Sequence, residues 1–190
     1  PTMAGLNTDA AFYLDAGLDL PRVGEEMGIA VNLEDYVELR GYGLTLTHDH
    51  ELLEFVGPQV ENNILGEAEL AVPQAFAQGN GQVTIAAFGD AATNGDLGLN
   101  LIFRAKSDIE ASYIEITEGA LQDGGYGMNQ IANPVSIRIE TLPEVYALQE
   151  NYPNPFNPET WIPFELSQDA EVVISIYDVS GQQVRTLPIG

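Results

Sequence analysis

Apolar and polar residues alternate with a period of two along most of this chain, and that period is the signature of half-buried strands. The first apolar run is Ala10–Ala16, and Pro21–Glu26 then reads as a turn. Ile29, Val31 and Leu33 alternate with Ala30, Asn32 and Glu34. Leu39–Thr47 places Tyr42, Leu44 and Leu46 on one face, and its two glycines, Gly41 and Gly43, predict a bulge or a close backbone approach. Leu52–Val56 is expected to end at Gly57-Pro58, with a weaker strand at Glu67–Val72 and another at Gln82–Phe88. After a loop at Gly89–Gly95, Leu97, Leu99, Leu101 and Phe103 line one face of a long strand. Ile109–Thr117 follows, then a loop at Asp123–Gly127, and Val135, Ile137 and Ile139 make the last strand of this stretch. About nine strands with turn residues between them and no amphipathic helix predict an all-β sandwich or jelly roll over residues 1–140. Its core should be built from Ile29, Val31, Leu33, Leu44, Leu46, Ile85, Leu99, Leu101, Phe103, Ile114, Ile116, Ile137 and Ile139.

Residues 141–150 read as a linker, and 151–190 as a second, smaller unit. Pro153, Pro155 and Pro158 fix φ and bias each preceding residue away from helix. Strand periodicity returns at Thr160–Leu166, at Val172–Tyr177 and, past turn chemistry at Asp178–Gly181, at Gln182–Leu187. Pro163 cannot donate to a ladder, so its strand belongs at an edge. Ile162, Phe164, Val172, Ile174 and Ile176 would give this small sheet one apolar face that must be covered.

The residues of this segment carry a resemblance. Tyr152-Pro-Asn-Pro-Phe-Asn-Pro158, followed by a strand and Ile176-Tyr-Asp-Val-Ser-Gly181, resembles the start of the FlgD-like immunoglobulin-type domain. Such domains end many secreted bacterial proteins and resemble type IX secretion sorting domains. The resemblance implies export to the cell surface, and an immunoglobulin-like unit that is incomplete at Gly190. A second resemblance rests on Pro21-Arg-Val-Gly-Glu-Glu26, on Gly41-Tyr-Gly-Leu-Thr-Leu-Thr47 with Glu51-Leu-Leu-Glu-Phe-Val56, and on Gly95-Asp-Leu-Gly-Leu-Asn-Leu-Ile-Phe103. In this order and spacing they are similar to cohesin domains, nine-strand jelly rolls that bind dockerins through an exposed sheet face.

Charge narrows the partners. The 190 residues hold 29 acidic against 6 basic side chains, a formal net charge of −23. Such a polyanion repels nucleic acid and anionic membranes, which need clustered Lys and Arg, and it favours divalent cations and basic partners. No apolar run reaches the length of a membrane-spanning helix. The chain opens at Pro1 and shows no signal peptide, as a trimmed piece of a longer precursor would. With no cysteine, disulfides and thiolate sites are excluded.

Candidate chemistry is sparse. His48 and His50, the two histidines, would share a face if extended, and beside Asp49 and Glu51 they are weak candidates for a transition metal. Asp90 and Asp96, flanking a loop, are weak candidates for Ca²⁺, although the alternating acids and distal Glu of a calcium loop are missing. No nucleophile elbow, zinc-protease helix or phosphate-cradling glycine loop occurs. The expectation is therefore a non-catalytic extracellular assembly module without a cofactor, binding a dockerin-like protein or a neighbouring copy and forming an oligomer or polymer. Trp161, Ile162, Phe164, Ile174 and Ile176 are its candidate partner-binding residues, and strand addition head to tail would propagate into a filament. Two alternatives stay open: a carbohydrate-binding module, and an accessory domain of a larger secreted hydrolase.

Overall fold

The computed structural model describes residues 10–17, 19–34, 38–61, 65–66, 69–93, 97–124, 128–131, 134–143 and 145–190. The chain divides into two compact units, Pro1–Thr141 and Leu142–Gly190.

In the first unit two antiparallel sheets face each other. One holds β1 (Ala11–Asp15), β2 (Glu26–Glu34), β7 (Leu99–Ala105) and β4 (Leu53–Val60), in the order β1-β2-β7-β4. The other holds β10 (Val135–Ile139), β8 (Ser112–Asp123), β3 (Leu39–His48), β6 (Gln82–Thr93) and β5 (Gln74–Ala77), in the order β10-β8-β3-β6-β5, while β9 (Met128–Ile131) also pairs with β8. Alternate residues of each strand point inward, and they meet in one hydrophobic cluster that contains Ile29, Val31, Leu44, Leu46, Ile85, Leu101, Phe103 and Ile114. Every expected core residue is buried except Ile137, which packs half-buried against the cluster. The all-β class read from the periodicity is the observed one.

Gly41 shows why β3 needs glycine. The pairing of β3 with both β6 and β8 shifts between Leu39 and Gly41, and a Cβ at Gly41 would lie 2.5 Å from Phe88 Cδ1 and 2.9 Å from the Ala87 carbonyl.

Several boundaries differ from the sequence reading. Glu67–Val72 is not a strand where described: Glu69–Ala71 is a single 3-10 turn that buries Ala71 and exposes Leu70, and pairing resumes only after Pro73. β4 does not stop at Gly57-Pro58. It bulges between Phe55 and Gly57 and continues, because β4 is an edge strand whose missing Pro58 N–H costs no ladder partner. β6 runs on through Thr93, into residues read as a loop. β8 begins at Ser112 rather than Ile109, whose backbone is instead tied to Thr141: Ile109 N–H donates to Thr141 Oγ1 at 2.8 Å and Thr141 N–H to the Ile109 carbonyl at 3.0 Å. β8 also extends to Asp123, and β9 was not anticipated.

The second unit differs more. Its expected three-stranded run is two separate pairs: β11 (Ala147–Leu148) with β12 (Phe164–Glu165), and β13 (Val173–Tyr177) with β14 (Gln183–Pro188). β11 lies within the segment read as a linker. The strand expected over Thr160–Leu166 is reduced to two residues. Pro163 supplies a carbonyl to Gln149 N–H but no donor, so the ladder is interrupted between β12 and the Tyr152–Trp161 bridge. Val173–Tyr177 closes with Asp178, whose carboxylate accepts from Ser180 N–H, Ser180 Oγ–H and Gln182 N–H at 2.8, 2.6 and 2.9 Å. These donors hold the Asp178 carboxyl below the usual carboxylate range.

Candidate functional site

Three places on the molecule offer surfaces or groups for binding. The first is the outward face of the larger sheet. Because β3 and β6 turn their large residues inward, Gly43, Thr45, Thr84 and Ala86 are left outside, in register across the two strands. The Thr45 and Thr84 hydroxyls lie 3.3 Å apart in a hydrogen bond, and Thr117 Oγ1 donates to the Thr45 carbonyl at 3.2 Å. Thr117 is the extra residue of a bulge, since Thr45 faces Glu118 while Leu46 faces Ile116. The bulge and the short side chains leave a shallow depression of about 410 Å³, bordered by Glu118, Ala120 and Gln130. Its centre, at Gly43, Thr45 and Thr84, carries no charged side chain and is fixed by backbone pairing on both sides. No motif announces it, since its signal is small outward residues on two neighbouring strands.

The second is an open groove of about 740 Å³ in the second unit, between the β11–β12 and β13–β14 pairs. Of the candidate partner-binding residues, Ile162, Phe164, Ile174 and Ile176 all line it, joined by Phe156, Leu166 and Val172. Among the described residues β12 and β13 each pair with a single neighbouring strand, which leaves one edge of each open. Trp161 is not part of this lining and is exposed.

The third holds the two histidines. Both border one shallow pocket with Glu54, Gln78 and Lys106, yet their rings are differently engaged. His48 ends β3 with its ring edge-on to the buried Phe103, centroids 5.2 Å apart. Burial, more than the nearby charges, lowers its pKa from the ordinary histidine value. His50 instead places Nε2 3.2 Å from Glu51 Oε1, while its carbonyl accepts from Lys106 Nζ at 2.8 Å. Among the described residues no three His, Asp or Glu side chains converge as metal ligands. The side chain of Asp90, and all of Asp96, lie outside the described residues.

Among the described residues no helix is long and apolar enough to cross a membrane. No family model and no curated protein matches the chain. Solved structures do. A cohesin module of a Clostridium perfringens family 33 glycoside hydrolase superposes with a TM-score of 0.56 at 11% identity, covering 70% of this chain and 96% of that one. A type I cohesin from Clostridium thermocellum, solved in a cohesin–dockerin complex, gives 0.55 at 12% identity over 68% and 98%. A type II cohesin domain from the cellulosome of Acetivibrio cellulolyticus gives 0.53 at 15% identity over 68% and 94%. The jelly roll of this chain has the cohesin fold.

Proposed function

We propose that this chain is a non-catalytic, extracellular protein–protein assembly module whose partner, a dockerin-like protein, docks on the outward face of the larger sheet. The observation that carries the reading is the uncharged, short-side-chain surface of Gly43, Thr45, Thr84 and Ala86 on a protein of net charge −23. Short side chains and a hydrogen-bonded backbone keep the ordering cost of docking low. Surrounding acids would steer a partner with basic groups at its rim. Structural neighbours that form cohesin–dockerin complexes support the choice of partner class. Export to a bacterial surface is the part of this reading that rests on the resemblance of Tyr152–Pro158 and Ile176–Gly181 to sorting domains, and on that alone.

Calorimetric titration of the full chain with purified dockerin modules tests the face. Thr45→Arg and Gly43→Arg should weaken any binding by at least about tenfold, as blocking the centre of an interface does. A Cβ at Gly43 meets only the Ile85 carbonyl, at 3.9 Å, so these variants should fold. Unchanged affinity in both variants, or no dockerin bound by the parent, refutes the assignment.

The unpaired edges of β12 and β13 beside an apolar groove favour a second mode, self-association by strand addition into a head-to-tail polymer. Light scattering should then show species larger than one chain, and Ile174→Lys should abolish them. A parent that stays monomeric at high concentration and in added salt removes this mode while leaving the docking face untouched.

A further inference from the structure

We propose that the Tyr152–Trp161 pair, in the second unit, is a binding platform for a neutral polysaccharide, each ring stacking on the apolar face of a sugar. The two residues exchange both backbone hydrogen bonds, Tyr152 N–H to the Trp161 carbonyl at 3.0 Å and Trp161 N–H to the Tyr152 carbonyl at 2.8 Å. Directly opposed residues of an antiparallel bridge project to the same face, with Cα atoms about 5.5 Å apart in a hydrogen-bonded pair. Asn151, Thr160 and Ile162, the chain neighbours of the pair, line the apolar groove. Strand alternation therefore sends Tyr152 and Trp161 to the reverse side. There they are 60% and 69% exposed, so the two rings together bury little against their own chain.

The backbone beneath them is fixed. Asn151 Nδ2 donates to Thr160 Oγ1 at 2.9 Å, and Thr160 Oγ1 donates to the Pro153 carbonyl at 3.2 Å, closing the hairpin under the rings. An exposed aromatic pair on a hydrogen-bonded backbone, with exposed Asn154 and Glu159 close by in sequence, combines stacking area with hydrogen-bonding groups, the mixture that a hydroxylated ring with one apolar face requires. Size favours sugar over protein. Two aromatic side chains offer about 300–500 Å², short of the roughly 800 Å² that each partner buries in a standard protein interface. Charge sets the class of sugar, because a surface this acidic repels uronate or sulfated chains. Protein docking on the larger sheet of the first unit neither requires this platform nor depends on it.

Trp161 is the sole tryptophan beside eight tyrosines, so emission under tryptophan-selective excitation reports this position alone. The full chain is run through native gels containing hydroxyethylcellulose, xylan or galactomannan, and titrated with the matching oligosaccharides and with a proline-rich peptide. Retardation by at least one polysaccharide is expected, insensitive to NaCl, with a shifted Trp emission on titration. Trp161→Ala and Tyr152→Ala should each lose the retardation, Trp161→Phe should retain part of it, and Thr45→Arg should leave it unchanged. The platform is overturned by mobility and emission that stay constant up to about 1 mM sugar. Retardation that survives both alanine variants overturns it as well. So does an emission change with the peptide and with no sugar, which would make the pair a peptide site.

Discussion

At the scale of single residues, space and charge make separable demands. A methyl group at Gly41 collides with Phe88 and the Ala87 carbonyl, whereas one at Gly43 has ordinary clearance. Gly41→Ala should therefore lower the urea midpoint clearly, while Gly43→Ala should move it little. Equal shifts would mean that β3 adjusts at its bulge without cost. Gly81 makes a different demand: its φ is +82°, and a Cβ there would run into the His48 carbonyl, so the β5–β6 turn and the end of β3 fit only through glycine. His48 itself links stability to pH. Its folded pKa lies below the unfolded value of about 6.5, so the unfolded chain takes up the proton first. The stability that neutral His48 contributes is complete above that value and is lost as pH falls below it. His48→Gln should flatten the fall in unfolding free energy between about pH 7 and 5, a window above carboxylate titration. A slope that persists in the variant would assign it elsewhere.

At the scale of elements, β7 carries the first unit. It lies between β2 and β4, and Leu99, Leu101 and Phe103 point from it into the core. Leu101→Ala should cost about 2–5 kcal/mol, as removing a buried large side chain does, and chemical denaturation should show a far smaller loss for Thr47→Ala at the end of β3. Similar small losses would mean that the inward and outward faces are inverted. The faces were legible because a period of two states which side each residue takes, and strands buried on one side keep that period strictly. What escaped the sequence was whatever breaks the period. Leu70 and Val72 alternate with small residues, yet they are exposed on a 3-10 turn and beyond it, since Pro73 stops the pairing. Gly57-Pro58 looked like a terminator because the pattern cannot say that β4 lies at an edge. In the second unit, hydrophobic alternation at Ile162–Leu166 located the groove but not the pairing. β12 returns to β11, a partner hidden in Ala147–Leu148, whose two residues are too few to show a period. The short-side-chain face proposed for docking left no motif either, since Gly43, Thr45, Thr84 and Ala86 become one surface only once β3 and β6 are in register.

At the scale of the whole molecule, the charge of −23 is a standing repulsion that the fold does little to relieve by pairing. The ion pairs among the described residues include Arg104 with Glu26 and Glu54 across three strands, and Arg138 with Glu140, all of them partly exposed. Such pairs contribute little and are themselves screened by salt. The surplus of carboxylates, spread along both units, cannot be neutralised by six basic residues. Screening at about 0.15 M ionic strength confines each charge to roughly 8 Å. Added NaCl should therefore raise the melting temperature, by about 2–4 °C for each kcal/mol of repulsion removed in a chain of this length. Loss of the exposed ion pairs works in the opposite direction, and the sign of the net change decides which dominates: a fall in melting temperature with salt would place the stability in the Arg104 and Arg138 pairs. Calcium separates bulk screening from a site. At matched ionic strength CaCl₂ should act like MgCl₂ if carboxylates only attract a diffuse cation cloud. A larger rise with Ca²⁺, saturable and reversed by chelation, would require an ordered oxygen cage, and Asp90→Asn and Asp96→Asn would then show whether these two carboxylates supply it.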